Sequence, residues 1–144
     1  MAHISKQLLA AVTMAVTGLP STGDRVQQSR TYAHHKAGPA LNVRLGERRP
    51  TSTLSNAVAN AEQDIFIDIA VAGPADTIDD LLLDVDAEIH QALMADYSLG
   101  LGFVLDCNPQ GLSEPDLEQA EKPKAVATSA WRYEVRHNRT TLET

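Results

Sequence analysis

By residue type, paired carboxylates are the first candidates for chemistry in this chain, and Asp79-Asp80 and Asp84-x-Asp86 are the densest pairs. Acid–base catalysis needs two carboxylates held in different environments within one pocket, so that one keeps its proton while the other ionises. Successive positions on an exposed helix do not provide that, and the pairs read as a solvated helix face. Of the histidines, His34-His35 are adjacent, and on an extended chain neighbours point to opposite sides, so one metal ion would rarely take both. His90 has Asp86 four residues before it, the spacing of a surface ion pair rather than a catalytic dyad. Trp131 and Tyr133 could stack bases, but their alternation with polar residues places them in a core. Cys107 follows Asp106 and lacks the electropositive setting of a reactive thiolate. The sequence holds no nucleophile elbow, zinc-protease helix motif, Walker loop or paired-cysteine motif. The expectation is a protein without a catalytic site, metal or cofactor.

The charge pattern is more informative. Between Pro50 and Glu121 there are fifteen carboxylates and no lysine or arginine, so residues 1–49, 50–121 and 122–144 carry net charges of +5, −15 and +3. If the fold separates the acidic middle from the basic flanks, one copy can present a negative surface to the positive surface of the next. Such heterologous contacts close into rings or run on as filaments, with register set by complementary potential. A total charge of −7 argues against tight binding to nucleic-acid phosphates, which requires clustered cations.

These residues must be carried by a single domain of 144 residues, with a core mostly of Leu, Val, Ile and Ala because aromatic residues make up only 4%. Ile4, Leu8, Val12, Ala15, Val16 and Leu19 recur at helical spacing, with Ser5 as a cap and Gly18 and Pro20 as stops. Arg25–Tyr32 and Leu41–Leu45 alternate as strands. Residues 47–60 read as a long loop. Ile65, Ile67, Ile69 and Val71 mark the clearest strand, apolar on both faces and therefore central. Asp76 or Thr77 caps a helix reaching about Ala95, whose stripe is Ile78, Leu81, Leu82, Val85, Ile89, Ala92 and Leu93. Leu101–Asp106 is a strand, residues 107–123 a loop, and Ala127–Arg136 a long strand hairpin-paired with 101–112. The chain from about 138 reads as a loose tail. The expected class is α+β, a mostly antiparallel sheet of four to five strands with two main helices packed on one face.

Cys107 is the only cysteine, which excludes an intramolecular disulfide and fits a reducing compartment. No apolar run is long enough to span a bilayer, so no membrane partner is expected. Lys6 followed by Leu8–Val16 mimics a signal peptide, but Thr13 and Thr17 interrupt the run and no A-x-A pattern follows, so an amphipathic helix is the better reading.

Two stretches carry a family resemblance. One runs from Ser5-Lys6-Gln7-Leu8-Leu9-Ala10-Ala11-Val12 through Thr17-Gly18-Leu19-Pro20-Ser21-Thr22-Gly23 to Ser29-Arg30-Thr31-Tyr32. The other is Lys122-Pro123-Lys124-Ala125-Val126-Ala127-Thr128 with Ser129-Ala130-Trp131-Arg132-Tyr133-Glu134-Val135. Together they resemble the tail terminator (tail completion) proteins of long-tailed bacteriophages. The resemblance implies a small subunit that forms a homo-oligomeric ring, a hexamer in that family. The ring caps the tail tube and stops its polymerisation, and it docks a head completion or connector protein, while DNA passes through without sequence-specific binding. It also implies a location in the tail or neck of the virion, after assembly in the host cytoplasm. Arg48 and Arg49 in the first long loop, and Glu114, Asp116, Glu118 and Glu121 in the second, are then candidate subunit or partner contacts. Asp84, Asp86 and Glu88, too far along their helix to be explained by its dipole, are candidates for an acidic lumen that repels DNA phosphate. The alternatives are a neck connector that joins head to tail without capping the tube, or a small-ligand-binding α+β domain.

Overall fold

The computed structural model describes residues 3–28, 38–53, 55–118 and 123–144. Two helices, α1 (Ile4–Ala15) and α2 (Ile78–Ala95), pack on one face of a six-stranded sheet. The strands are β1 (Val26–Gln27), β2 (Ala40–Thr53), β3 (Val58–Ala72), β4 (Val104–Leu112), β5 (Asp116–Glu118) and β6 (Lys124–Asn138). Their order is β1-β2-β3-β6-β4, with β5 following β4 along the same edge of β6. Only the short β1–β2 pairing is parallel. The class is α+β as expected, with six strands rather than four or five.

Strand β3 is central as expected, although only its helix-side face is apolar; the other face carries Glu62, Asp64 and Asp68 beside Phe66. It pairs with β2 on one side and along its whole length with β6 on the other, from Val58↔Asn138 to Ala72↔Lys124. Ile65, Ile67, Ile69 and Val71 face the helices, together with Ala125, Ala127, Trp131, Tyr133 and Val135 of β6. Against them lie Ile4, Leu8 and Val12 of α1 and Ile78, Leu82, Val85, Ile89 and Leu93 of α2, positions three and four apart that form one stripe per helix. Trp131 is buried in this layer, and its indole N–H donates to Ser129 Oγ at 2.8 Å. That satisfies the polar atom a buried tryptophan carries with it.

The expected loop at 47–60 is instead the two arms of the β2–β3 hairpin, paired from Arg48↔Gln63 to Thr53↔Ala59. Its polar composition misleads because β2 is an edge strand there among the described residues, with nothing to bury on its free side. Pro50 fits such an edge, where a missing N–H costs little. Bulges at Leu45/Arg48 and Pro50/Ser52 add further irregularity. The loop expected at 107–123 likewise contains the end of β4 and all of β5, both mostly exposed, so neither shows apolar alternation. The fourth strand starts at Val104 rather than Leu101. Of the strand expected over Arg25–Tyr32, Val26–Gln27 pairs with β2, and residues 29–37, which include residues 29–32 of that strand and His34 and His35, lie outside the described residues.

Two further corrections concern the chain ends. The cap of α1 is His3, whose Nδ1 accepts from the Ser5 N–H at 3.0 Å, while Ser5 is buried and donates to Gln63 Oε1 at 2.8 Å. The segment after Asn138 is not a loose tail. Leu142 O accepts from Ile4 N at 2.8 Å, Glu143 O accepts from Asn138 N at 2.7 Å, and Leu142 packs on the core. The C-terminal residues thereby tie the first helix to the end of the last strand.

Candidate functional site: a paired sheet face and two charged ends

The sheet face away from the helices carries its own charge network, built from the alternate residues of the same strands. Asp68 of β3 sits between Asn42 of β2 and Thr128 of β6. It accepts from Thr128 Oγ1 at 2.6 Å, from Asn42 Nδ2 at 3.2 Å and from Arg44 Nε and Nη2 at 2.8 and 3.2 Å. Two residues along β3, Phe66 lies under the Arg44 guanidinium, 4.8 Å from ring centre to Cζ. Two residues further, Asp64 accepts from both Arg49 Nη groups at 3.0 Å and from Arg132 Nε at 3.1 Å. Glu62 extends the ladder to the same two arginines at 3.4 and 3.6 Å. Here β2 and β6, one from each basic flank, enclose the acidic strand β3.

The ionisation of these groups follows from the geometry. The Arg49 hydrogen bonds hold Asp64 below the usual carboxylate range, and Arg132 reinforces this against the opposing effect of burial. For Asp68 burial is the largest single influence and favours the neutral acid, yet the bonds from Arg44, Thr128 and Asn42 together outweigh it, and its carboxyl is also held low. Asp64 in turn keeps Arg49 more firmly protonated than a free arginine.

Gly46 makes this face possible. A Cβ there would stand 2.5 Å from Phe66 Cε2 and 2.9 Å from Asp64 Cβ, so only glycine lets Phe66 cross the strand at the bulge. Gln63, pointing to the helix side, secures the bulge by donating to Gly46 O at 3.1 Å and Glu47 O at 3.3 Å.

Outside this network, Lys6, Arg48, Arg136 and Arg139 lie toward one end of the sheet and the acids of β5 and of the start of α2 toward the other, with Asp106, Glu134 and Glu143 among the bases and Lys124 among the acids. β3 runs from one end, near Val58, to the other, near Ala72. At the first end lie His3, Lys6, Arg139, Thr140, Thr141, Leu142 and Glu143, which line one open cleft. Arg48 joins them, reaching Ser5 Oγ at 3.4 Å, and Arg136 pairs in register with Asn60 on the neighbouring strand. At the second end Asp76 precedes α2, Asp79 and Asp80 lie in its first turn, where the helix dipole favours them, and β5 contributes Asp116 and Glu118 beside Lys124.

The sequence-predicted residues fall on both sides of this division. Arg48, Glu114, Asp116 and Glu118 are exposed, as contacts with a partner require. Arg49 belongs to the internal network instead. Glu121 lies outside the described residues. Among the lumen candidates Asp84 is exposed. Glu88 is half-buried and accepts from the Ser21 N–H at 2.8 Å and from the Ser21 hydroxyl, so it fastens the turn after α1. Asp86 is also half-buried, and burial raises its proton affinity, with His90 partly offsetting this. His90 is more than half of a surface ion pair, since its ring stands 5.6 Å from Trp131.

Sequence reasoning missed Asp64, Asp68, Arg44 and Arg132. The available signal was the interruption of the apolar run in β3 by Asp64 and Asp68, which share one strand face. Cys107 is buried beside Tyr133, and burial, helped by Asp106 and opposed by Tyr133, pushes its thiol up to about 11, the opposite of a reactive thiolate. The buried Tyr133 hydroxyl has no hydrogen-bond partner among the described residues, with the Cys107 thiol near it. Among the described residues no three metal-ligating side chains gather, and no helix is long and apolar enough to cross a membrane. No protein-family model matches the chain, and no curated protein matches it in sequence.

Proposed function

We propose that this protein is a structural subunit of a long-tailed bacteriophage virion, which forms a ring on the end of the tail tube, stops tube polymerisation and offers the docking surface for the head connector. The observation that carries this reading is the uneven spread of charge over one α+β subunit, with Lys6, Arg48 and Arg139 toward one end and the acids of α2 and β5 toward the other, a distribution suited to repeated head-to-tail contact. The likeness of the first helix region and of β6 to tail terminators supplies the particular assembly. The protein acts without catalysis, metal or cofactor, and its partners are further copies of itself, the tail tube protein and a head completion protein.

In this reading DNA slides through the ring because acids line the bore. Asp79, Asp80 and Asp84 on the exposed side of α2 are the residues that serve this, while Asp86 and Glu88 belong mainly to the fold. Phosphate held by cations would stick, whereas an acidic wall repels it.

Purified protein added to polymerising tail-tube subunits tests the proposal. The expected result is tubes that stop growing and carry a ring at one tip. Unchanged tube growth with binding to the head connector would favour a neck connector that joins head to tail, and unchanged growth with neither binding would reject a virion role.

A further inference from the structure

The cleft at the basic end has the composition of a site for an acidic peptide strand. Lys6 on the first turn of α1 and Arg139 after β6 are exposed and line it together with His3, Thr140, Thr141, Leu142 and one acid, Glu143, so its cations outnumber its carboxylate. Its walls are fixed, because Leu142 O holds Ile4 N at 2.8 Å and Arg139 N is bonded to Ala57 O at 2.8 Å. A preformed cleft with an excess of cations takes a short segment bearing carboxylates.

The opposite end of the same molecule carries such a segment. Strand β5 presents Asp116 and Glu118 on one face and Leu117 on the other, with Glu114 just before it. Leu117 is 56% exposed, one of only four large apolar side chains so exposed among the described residues. The outer edge of β5 is unpaired among the described residues, because β6 occupies its inner edge only. Cleft and strand are at opposite ends of β6, so they cannot meet within one copy, and the contact must be between copies.

We infer that β5 of one copy docks into the Lys6–Arg139–Leu142 cleft of the next, with its Asp116 and Glu118 face turned toward Lys6 and Arg139. This contact is heterologous, and successive copies joined by it form a closed ring or an open filament according to the angle between them. It rests on the ring reading above and names the surfaces that reading uses.

Charge reversal in two variants gives the test. K6E/R139E makes the basic end acidic, and D116K/E118K makes the acidic end basic. All four residues are exposed, and circular dichroism and thermal unfolding check that both variants keep the parental fold. Light scattering at low ionic strength then follows association of the parent, each variant and their equimolar mixture. The expected result is assembly of the parent, loss of assembly in each variant alone, and its recovery in the mixture, where unlike ends alternate. Added salt should dissolve the assemblies, since the charged contacts are screened. A parent that stays monomeric at every concentration overturns the inference, as do variants that assemble like the parent or a mixture that fails to recover. Failure of the contact is separable from failure of the proposed function. Variants that still stop tube growth would sink the contact and leave the capping role standing, whereas a parent that assembles but does not affect tubes would do the reverse.

Discussion

The outer sheet face and the two ends of the molecule are built from the same residue types and use them in opposite ways. On the sheet face each carboxylate of β3 finds an arginine from β2 or β6, so Asp64 and Asp68 are nearly sealed from solvent and their charge is spent within the subunit. At the ends one sign predominates: Lys6, Arg48 and Arg139 with Glu143 at one, Asp79, Asp80, Asp116 and Glu118 with Lys124 at the other. A single run of acids in the sequence therefore has two physical meanings. Where the strands of the basic flanks lie alongside it, the run stabilises the fold. Beyond their reach, it leaves a field that another molecule can answer.

The sharpest way to break the comparison is to remove a carboxylate from the sealed face. Asp68→Ala leaves Arg44, Asn42 and Thr128 without their common acceptor and should cost about 2–3 kcal/mol, read as a lower urea midpoint. A cost below about 0.5 kcal/mol would put Asp68 with the end charges instead. Next in size, Gly46→Ala forces a methyl group into Phe66 and should cost about 1–3 kcal/mol. Adding Phe66→Ala should restore part of that loss in a double-mutant cycle, and additive costs would mean that the ring does not cross the strand as described.

Acid sharpens the same contrast. Both Asp64 and Asp68 have folded-state proton affinities below the unfolded value, so their contribution is complete above that value and is lost as pH falls through about 4 toward the folded pKa. The parent should therefore lose stability between pH 5 and about pH 3, and D64N/D68N should lose markedly less across that interval. Equal losses would assign acid sensitivity elsewhere. Asp86 has the opposite sign, since its raised proton affinity favours the folded state at low pH and disfavours it as pH rises. The smallest effect is expected for Arg48→Glu, within about 0.5 kcal/mol of the parent in unfolding measurements. The same change at Arg49, one position on, places a carboxylate among Glu47, Glu62 and Asp64 and should lower the unfolding midpoint clearly.

That pair of neighbours also shows what the sequence could and could not convey. Arg48 and Arg49 look alike in a polar stretch, and nothing local says that β2 turns one toward Ser5 and the other across the sheet to Asp64. Apolar periodicity located both helices, the central strand and the buried face of β6, because burial of those side chains is what forms the elements. It failed over 47–60 and 107–118, where strands lie at the sheet edge and hydrogen bonding to a neighbour, not burial, defines them. The charge imbalance was legible as a sum over segments. Its division into paired and unpaired parts was not, since that depends on β2 and β6 meeting on either side of β3 across more than sixty residues of chain.

Imaging the assembled parent protein by electron cryomicroscopy tests the central claim most directly. The account predicts a closed annulus in which β5 of each subunit meets the Lys6–Arg139 cleft of its neighbour, leaving the Asp64–Arg132 face uninvolved in subunit contacts. Subunits joined instead through that paired sheet face, with the two charged ends pointing freely into solvent, would contradict it.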